Sequence, residues 1–129
     1  EDKIMKQEEK NLFLKDLCGR LPYGVKLDTL DGPQELDIRW LSINMCNISS
    51  PYLPYLFPLS SMTDEQIMQS PASISIGDLE NLRYINKLVE LEYGTDVVDL
   101  IDWFNKNHFD YRGLIPMGLA IDATGLNIY

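Results

Sequence analysis

The stretch Asp99-Leu-Ile-Asp-Trp-Phe-Asn-Lys-Asn-His-Phe-Asp-Tyr-Arg-Gly-Leu-Ile-Pro-Met-Gly-Leu-Ala120 decides the fold that we predict for this chain. It holds the only histidine, His108, and four aromatic residues within nine positions: Trp103, Phe104, Phe109 and Tyr111. Its first residues are apolar at helical spacing, and its later glycines and proline favour a change of chain direction. We therefore expect an amphipathic helix followed by an aromatic turn, with both packed into the core.

Length and composition indicate one globular domain over residues 1–129. A chain of this length buries about two thirds of its unfolded surface, and 45% hydrophobic with 24% charged residues is typical of globular proteins. It has no apolar run near the roughly 18 residues that a membrane span needs, so we expect no membrane association. The charged N-terminus lacks the apolar region of a secretion signal, which favours the cytoplasm. Met5 is a candidate natural start, with residues 1–4 upstream of the domain or disordered.

The net charge of −9 is concentrated in the second half of the chain. Residues 1–60 carry 7 basic and 9 acidic side chains, whereas residues 61–129 carry 4 and 11. Nucleic-acid-binding proteins usually present a basic stripe, because contacts to phosphates dominate their affinity. We therefore expect no direct nucleic-acid binding. Solubility alone explains an acidic surface, and an inhibitor that mimics nucleic acid is the less common alternative.

The first half of the chain predicts a helix and a hairpin. Gln7–Leu21 has apolar residues at helical spacing, with Asp16 and Arg20 expected on its polar side, and a proline follows it. Two strands, Val25–Leu30 and Glu35–Cys46, are expected on either side of Asp31-Gly32-Pro33, since Asp-Gly between apolar stretches favours a hairpin turn. The apolar residues of the second strand change face at Leu41, which indicates a bulge or burial on both faces. Such a strand would be central in a small, curved antiparallel sheet.

The middle segment Pro51–Pro58 contains three prolines among tyrosine, leucine and phenylalanine. One interpretation is a polyproline-type ligand for an aromatic groove. The other, which we favour, is a stiff segment or edge strand whose apolar side chains complete the core. Thr63-Asp-Glu-Gln66 matches a capping box and predicts a short helix that ends near Gln69. A longer helix is expected from Asp78 to Tyr93.

The last helix should begin with Asp96 as its cap and run towards His108. Its predicted inward residues are Val97, Leu100, Ile101, Phe104 and His108. After Tyr111 we expect an extended chain, a final strand around Leu119 and Ile121, and loose terminal residues.

The two cysteines, Cys18 and Cys46, are expected to be buried reduced thiols. Cys18 lies on the apolar face of the first predicted helix, and Cys46 ends an apolar run. The chain lacks the spacing of a redox thiol pair, a four-ligand zinc site, a P-loop and a dinucleotide fingerprint. We therefore predict no metal and no cofactor.

His108 is the first residue to consider for chemistry, because histidine is the usual acid, base or metal ligand. Asp110, Tyr111 and Arg112 lie next to it, but their spacing matches no known catalytic device. Arg112 could bind an anion, although we favour pairing with one of the nearby carboxylates. A structural role at the end of a helix is the favoured interpretation. The alternative is a small enzyme with a pocket around His108, Asp110, Tyr111 and Arg112.

Three aspartates recur at every third position of the last predicted helix: Asp96, Asp99 and Asp102. Carboxylates at this spacing lie near one side of a helix, and near its start they complement the helix dipole. The chain lacks a calcium-loop pattern that would supply further ligands. With Glu90 and Glu92, these residues form the acidic surface at which we expect a partner protein.

Three motifs resemble a family of small uncharacterised proteins encoded in gut-bacterial genomes, often near phage or other mobile elements. The motifs are Lys15-Asp-Leu-Cys-Gly-Arg-Leu-Pro-Tyr-Gly-Val25, Pro54-Tyr-Leu-Phe-Pro-Leu-Ser-Ser-Met-Thr63 and Asp102-Trp-Phe-Asn-Lys-Asn-His-Phe-Asp-Tyr-Arg-Gly-Leu-Ile-Pro-Met-Gly-Leu-Ala120. The resemblance implies a cytoplasmic protein of mobile-element ancestry. It brings no activity and therefore no catalytic residue.

The combined prediction is one α+β domain. It contains an N-terminal helix, a small curved antiparallel sheet, with a barrel-like form as a variant, and two or three C-terminal helices. The function that we expect is a non-catalytic accessory or protein-interaction module, with the small enzyme and the acidic nucleic-acid mimic as alternatives. The partner, the oligomeric state and the biological process do not follow from the sequence.

Overall fold

The structure, a computed structural model, describes residues 6–46, 51–70 and 96–129. The predicted helix Asp78–Tyr93, with Glu90 and Glu92, lies outside these ranges, as do residues 1–4. The helices are α1 (Gln7–Arg20), α2 (Ile38–Cys46), α3 (Asp64–Met68) and α4 (Asp96–Lys106). The strands are β1 (Lys26–Thr29), β2 (Gly32–Glu35), β3 (Tyr55–Pro58), β4 (Phe109–Asp110) and β5 (Ile121–Asp122). Helices and small sheets together confirm the α+β class, and the described strands form no closed barrel.

Helix α1 lies where the sequence predicts it, but it buries a different face. The buried side chains are Phe13, Asp16, Leu17 and Arg20, which fall at the i, i+3, i+4, i+7 spacing of one helical stripe. The prediction placed Asp16 and Arg20 on the polar side and Cys18 in the core. That was wrong: both charged residues are buried, whereas Cys18 is exposed and free. The helix then passes into a 3₁₀ turn over Leu21–Tyr23, where Pro22 blocks further α-helix.

The predicted hairpin is present as β1 and β2, which pair antiparallel with Lys26 opposite Glu35 and Thr29 opposite Gly32. Its turn is therefore Leu30–Asp31, one residue earlier than the Asp-Gly signal suggested. The Thr29 hydroxyl donates to the Gly32 carbonyl at 2.7 Å and accepts from the Asp31 amide at 3.2 Å. Gly32 has a φ of 89°, a conformation that glycine adopts without strain.

The second predicted strand, Glu35–Cys46, is wrong beyond its first residue, because Ile38–Cys46 forms helix α2. The Asp37 carboxylate accepts from the Trp40 amide at 2.9 Å and caps the helix. Asn44 is buried, and its side-chain amide binds both the carbonyl and the amide of Tyr52, at 2.9 and 2.8 Å. We interpreted the change of face at Leu41 as a bulge in a strand, but this apolar spacing is the 3.6-residue period of a helix.

The Pro51–Pro58 segment forms strand β3, as the favoured interpretation predicted, but β3 is central and not at an edge. Its sheet has the order β4-β3-β5, and both neighbours run parallel to β3. The prolines lie at the ends of the strand, Pro54 just before β3 and Pro58 as its last residue, opposite Asp110. The Phe57 amide donates to the His108 carbonyl, and the Pro54 carbonyl accepts from the Ile121 amide. This small parallel sheet was not predicted.

The capping box is confirmed at the start of α3. The Thr63 hydroxyl accepts from the Gln66 amide at 3.1 Å, and the Gln66 side chain accepts from the Thr63 amide at 2.8 Å. Helix α4 buries Leu100 and Phe104 as predicted, but it ends at Lys106, so His108 lies beyond it. None of the described helices is both long and apolar enough to cross a membrane.

The buried apolar residues in the described part of the chain form two clusters. One joins α1 to the hairpin and the C-terminal turn, and its buried members are Phe13, Leu17, Val25, Leu27, Leu36, Leu56, Leu114, Leu119 and Ala120. The other joins α3 and α4 to the aromatic turn, and its buried members are Leu59, Met62, Ile67, Leu100, Phe104, Phe109 and Tyr111. The aromatic stretch thus contributes to both clusters, and the polar groups described next lie between them.

Candidate functional site

The aromatic turn after α4 is organised around the buried Asp110 carboxylate. Its two oxygens accept from the Leu114 and Ile115 amides at 2.8 and 2.9 Å. Gly113, with a φ of 74°, allows the chain to fold back onto that carboxylate. Burial raises the pKa of Asp110, while the two amide hydrogen bonds and the charge of Arg20 oppose that rise. Asp110 therefore holds its own turn together.

A buried ion-pair cluster joins α1 to this turn. Arg20 and Asp16 are both fully buried, and the Arg20 Nε donates to Asp16 Oδ2 at 2.7 Å. Arg20 Nη2 also donates to the Phe109 carbonyl at 2.7 Å. The second oxygen of Asp16 accepts from Arg112 Nε at 3.0 Å, with Arg112 19% exposed. We call Asp16, Arg20, Tyr111 and Arg112 the arginine cluster.

Tyr111 completes the arginine cluster. Its hydroxyl accepts from Arg112 Nη2 at 3.1 Å, and both guanidinium carbons lie about 5 Å from its ring, Arg20 at 5.1 Å and Arg112 at 4.9 Å. A ring placed this way stabilises cations through its quadrupole. Its ring also stacks on Phe104 at 5.7 Å. The cluster thus connects α1, α4 and the aromatic turn.

His108 belongs to a different set of contacts. Its ring stacks on Tyr129 with centroids 3.8 Å apart and planes inclined by 12°. Burial, followed by the positive charges of Arg20 and Lys26, lowers the pKa of His108 to about 4, so the ring is neutral at pH 7. Its φ of 62° lies in the left-handed region, which asparagine, aspartate and histidine adopt more readily than most residues.

Within residues 6–46, 51–70 and 96–129, three buried polar atoms around the ends of α1 and α4 have no hydrogen-bond partner: Arg20 Nη1, Asn105 Oδ1 and His108 Nδ1. An unpaired buried donor or acceptor costs about 1–3 kcal/mol. Asn105 is 4% exposed, and its amide nitrogen lies 3.7 Å from the position that a Cβ on Gly19 would take. A side chain at Gly19 would therefore crowd this junction.

The four predicted site residues are neighbours, but their side chains have three separate sets of partners. Asp110 binds the amides of its own turn, Tyr111 and Arg112 bind within the arginine cluster, and His108 stacks on Tyr129. A catalytic site requires its acid, base and nucleophile to share one reacting atom. The contacts of these four side chains favour structural roles.

The predicted acidic surface lies partly within the described residues. Asp99 and Asp102 are exposed on α4, and Asp96 is the first residue of that helix. Among the residues for which the structure describes side chains, no group of three or more His, Cys, Asp or Glu is placed to hold a metal ion.

Sequence reasoning missed Asp16 and Arg20, the two most buried charges of the candidate site. Their signal was present: an acid and a base four residues apart on the same stripe as Phe13 and Leu17. Such a spacing usually marks an exposed pair of charges on a helix, and we expected both residues on the polar side of the predicted helix. Arg112 was expected to bind a nearby carboxylate, whereas its partner, Asp16, is 96 residues away.

Comparison with protein-family models, curated proteins and solved structures gave no match for this chain.

Proposed function

We propose that the protein is a non-catalytic interaction module of phage or mobile-element ancestry, and that it binds a partner protein through helix α2. The observation that carries this proposal is the exposure of apolar side chains on α2. Ile38 is 73% exposed and Met45 is 51% exposed. Contiguous apolar surface of this kind often marks an interaction site.

The geometry of α2 places these side chains in one line. Ile38, Leu41 and Met45 fall at the i, i+3, i+7 spacing of a single helical stripe, with Leu41 half-buried at its inner edge. We call these three residues the α2 stripe. The opposite side of the helix is fixed by Asn44 and by Trp40, whose ring meets Tyr52 edge-on at 5.5 Å. The stripe is therefore presented by a helix that is held in place before any partner binds.

The partner that fits this surface is an amphipathic helix with basic flanks. A helix of nine residues is about 13.5 Å long, whereas a stable protein interface uses about 20–30 residues from each side. The α2 stripe alone is smaller than such an interface, so the amphipathic partner helix packs its apolar face along the stripe, and its flanks supply further contacts. The net charge of −9 and the exposed Asp99 and Asp102 favour a Lys- or Arg-rich partner through electrostatic steering.

The arrangement of the candidate site supports a non-catalytic function. Each carboxylate oxygen of Asp16 and Asp110 accepts a hydrogen bond from within the protein. An acid or base in catalysis must reach its substrate within about 2.6–3.2 Å. These carboxylates are instead used to hold the chain together.

The proposal is tested by affinity capture from a gut-bacterial lysate, with and without nuclease, followed by mass spectrometry. The bait proteins are the wild type, Met45→Glu and the control Met68→Glu, which adds the same charge at a methionine that is 78% exposed on α3. A partner retained by wild type and Met68→Glu but lost with Met45→Glu supports the proposal. A partner lost only with Asp99→Lys and Asp102→Lys would move the interface to the acidic surface. Capture of nucleic-acid enzymes would favour the mimic, and equal capture by all baits would refute the role of α2.

A further inference from the structure

The hydroxyl of Tyr129 is held by backbone groups from both sheets. It donates to the Tyr55 carbonyl at 2.7 Å and accepts from the Lys26 amide at 2.8 Å. Lys26 lies in β1 and Tyr55 in β3, so one phenol oxygen bridges strands that belong to different sheets. A phenol hydroxyl that donates one hydrogen bond and accepts another uses its hydrogen-bonding capacity in both directions.

The Tyr129 ring and the Ile128 carbonyl also contact other parts of the chain. The Tyr129 ring stacks on His108 at 3.8 Å and lies 5.8 Å from Phe57. The Lys26 ammonium donates to the Ile128 carbonyl at 2.9 Å and lies 6.0 Å from the Tyr129 ring. We call Lys26, Tyr55, Phe57 and His108 the tyrosine clamp. These contacts involve the hydroxyl, the ring and the preceding peptide group, while Tyr129 as a whole stays 42% exposed.

The segment that leads to Tyr129 is held by short-range hydrogen bonds: the Thr124 amide donates to Asp122 Oδ1, and the Leu126 amide donates to the Ala123 carbonyl. Residues 124–127 are exposed, and both Gly125 and Asn127 have positive φ values, 76° and 54°. The hydrogen bonds of Tyr129 join it to residues 103 and 74 positions away in the sequence. Tyr129 is therefore held by its side chain, much as a bound ligand would be. The prediction of loose terminal residues is wrong at this position.

We propose that the tyrosine clamp is a binding site for the phenol side chain of a tyrosine-bearing peptide, and that Tyr129 occupies it within the chain. The site goes beyond the interaction proposed for α2 and does not depend on it. It recognises a protonated hydroxyl, because the Tyr55 carbonyl requires a donor. Partial burial raises the pKa of Tyr129 to about 12, so its hydroxyl is protonated at neutral pH, as an unperturbed phenol also is.

The same contacts set the specificity of the site. Phenylalanine would stack on His108 but leave the Lys26 amide and the Tyr55 carbonyl without their partner. Phosphotyrosine at neutral pH carries oxygens that mainly accept hydrogen bonds, so it would place a negative acceptor against the Tyr55 carbonyl. The clamp therefore distinguishes tyrosine from both of these side chains.

The test uses the full chain with Tyr129→Ala, titrated with p-cresol and followed by the backbone amide resonance of Lys26. We expect saturable shifts in this variant and none in the wild type, and binding of toluene about tenfold weaker or less, because toluene cannot form the two hydrogen bonds. Tyr52→Ala is the matched control, since it removes a half-buried tyrosine ring outside the clamp. It should bind p-cresol without preference over toluene.

A second variant keeps the test decisive if Tyr129→Ala does not fold. Tyr129→Phe retains a ring that can stack on His108 but cannot form the two hydrogen bonds, so p-cresol should displace this ring and shift the Lys26 amide at a higher concentration than in Tyr129→Ala, while the wild type stays unchanged. The peptide Leu-Asn-Ile-Tyr, which copies residues 126–129, should bind Tyr129→Ala at least about tenfold tighter than its phenylalanine and phosphotyrosine versions. Equal binding of p-cresol and toluene to a folded variant, or no binding of p-cresol to either variant, would overturn the proposal.

Discussion

Replacement of Asp16 by asparagine should be the most damaging single change within the arginine cluster. Asp16 is fully buried, and its two oxygens accept from Arg20 and Arg112 at 2.7 and 3.0 Å. Asparagine keeps the shape but removes the charge, and it turns one acceptor into a donor that faces a guanidinium. Arg20 would then be a buried cation without its counter-charge.

The expected cost is about 3–5 kcal/mol, which is the usual loss when one partner of a buried ion pair is removed. Domains unfold with about 5–15 kcal/mol in total, so the loss would be a large share of the stability. Urea unfolding followed by fluorescence of Trp40 and Trp103 should show a midpoint lowered by about 2 M or more. The control is Asp102→Asn, which changes an exposed carboxylate of α4 and should shift the free energy of unfolding by less than about 0.5 kcal/mol.

A double variant distinguishes the effect of the buried charges on stability from the effect of side-chain packing. Asp16→Leu combined with Arg20→Met removes both buried charges, and apolar replacement of a buried ion pair is often neutral or stabilising. We therefore expect the double variant to be more stable than Asp16→Asn, although the Phe109 carbonyl loses its Arg20 donor. A loss below about 1 kcal/mol for Asp16→Asn would show that Arg20 is solvated or paired elsewhere, and the reasoning on the cluster would be refuted.

Two further predictions use the same unfolding assay. Thr63→Ala removes the hydroxyl that accepts from the Gln66 amide and should cost about 1 kcal/mol; no loss would mean that the capping box does not stabilise α3. His108→Asn tests the lowered histidine pKa. Below pH 6.5 the unfolded chain takes up a proton that the folded protein accepts only near pH 4, so the wild type should lose stability relative to the variant as pH falls from 6.5 to 4. A stability difference that stays constant over this range would contradict it.

The elements that sequence reasoning predicted well are those specified by near neighbours. The capping box joins residues three apart, Thr63 and Gln66. The hairpin turn lies next to the Asp-Gly signal, although the second strand was predicted too late in the sequence and shares only Glu35 with β2. Helix α1 follows from its spacing and from Pro22. In each case the pattern and the contact lie within a few residues, so the pattern contains the physical cause.

The wrong prediction at α2, a strand in place of a helix, also has a local cause. Asp37 was the missed signal, because its carboxylate caps the helix at the Trp40 amide. β-branched and aromatic residues in Ile38–Cys46 favour a strand, but Asn44 must reach the Tyr52 backbone from a helix face. Tertiary contacts thus outweighed propensity. The parallel sheet around β3 could not be predicted from local patterns, since β4 and β5 follow it by more than 50 residues.

The residue types in the aromatic turn suggested a catalytic site, and there is a physical reason why they do so misleadingly. His108, Asp110 and Arg112 are residue types that act in catalysis, but a turn with little regular structure needs side chains that satisfy backbone amides and join distant elements. Asp110 serves its own turn through the amides of Leu114 and Ile115, and Arg112 connects that turn to α1 through Asp16. The surfaces left for recognition are then those whose contacts do not hold the core together. On this argument, binding should be sought at the apolar α2 stripe and at the tyrosine clamp before any pocket around His108.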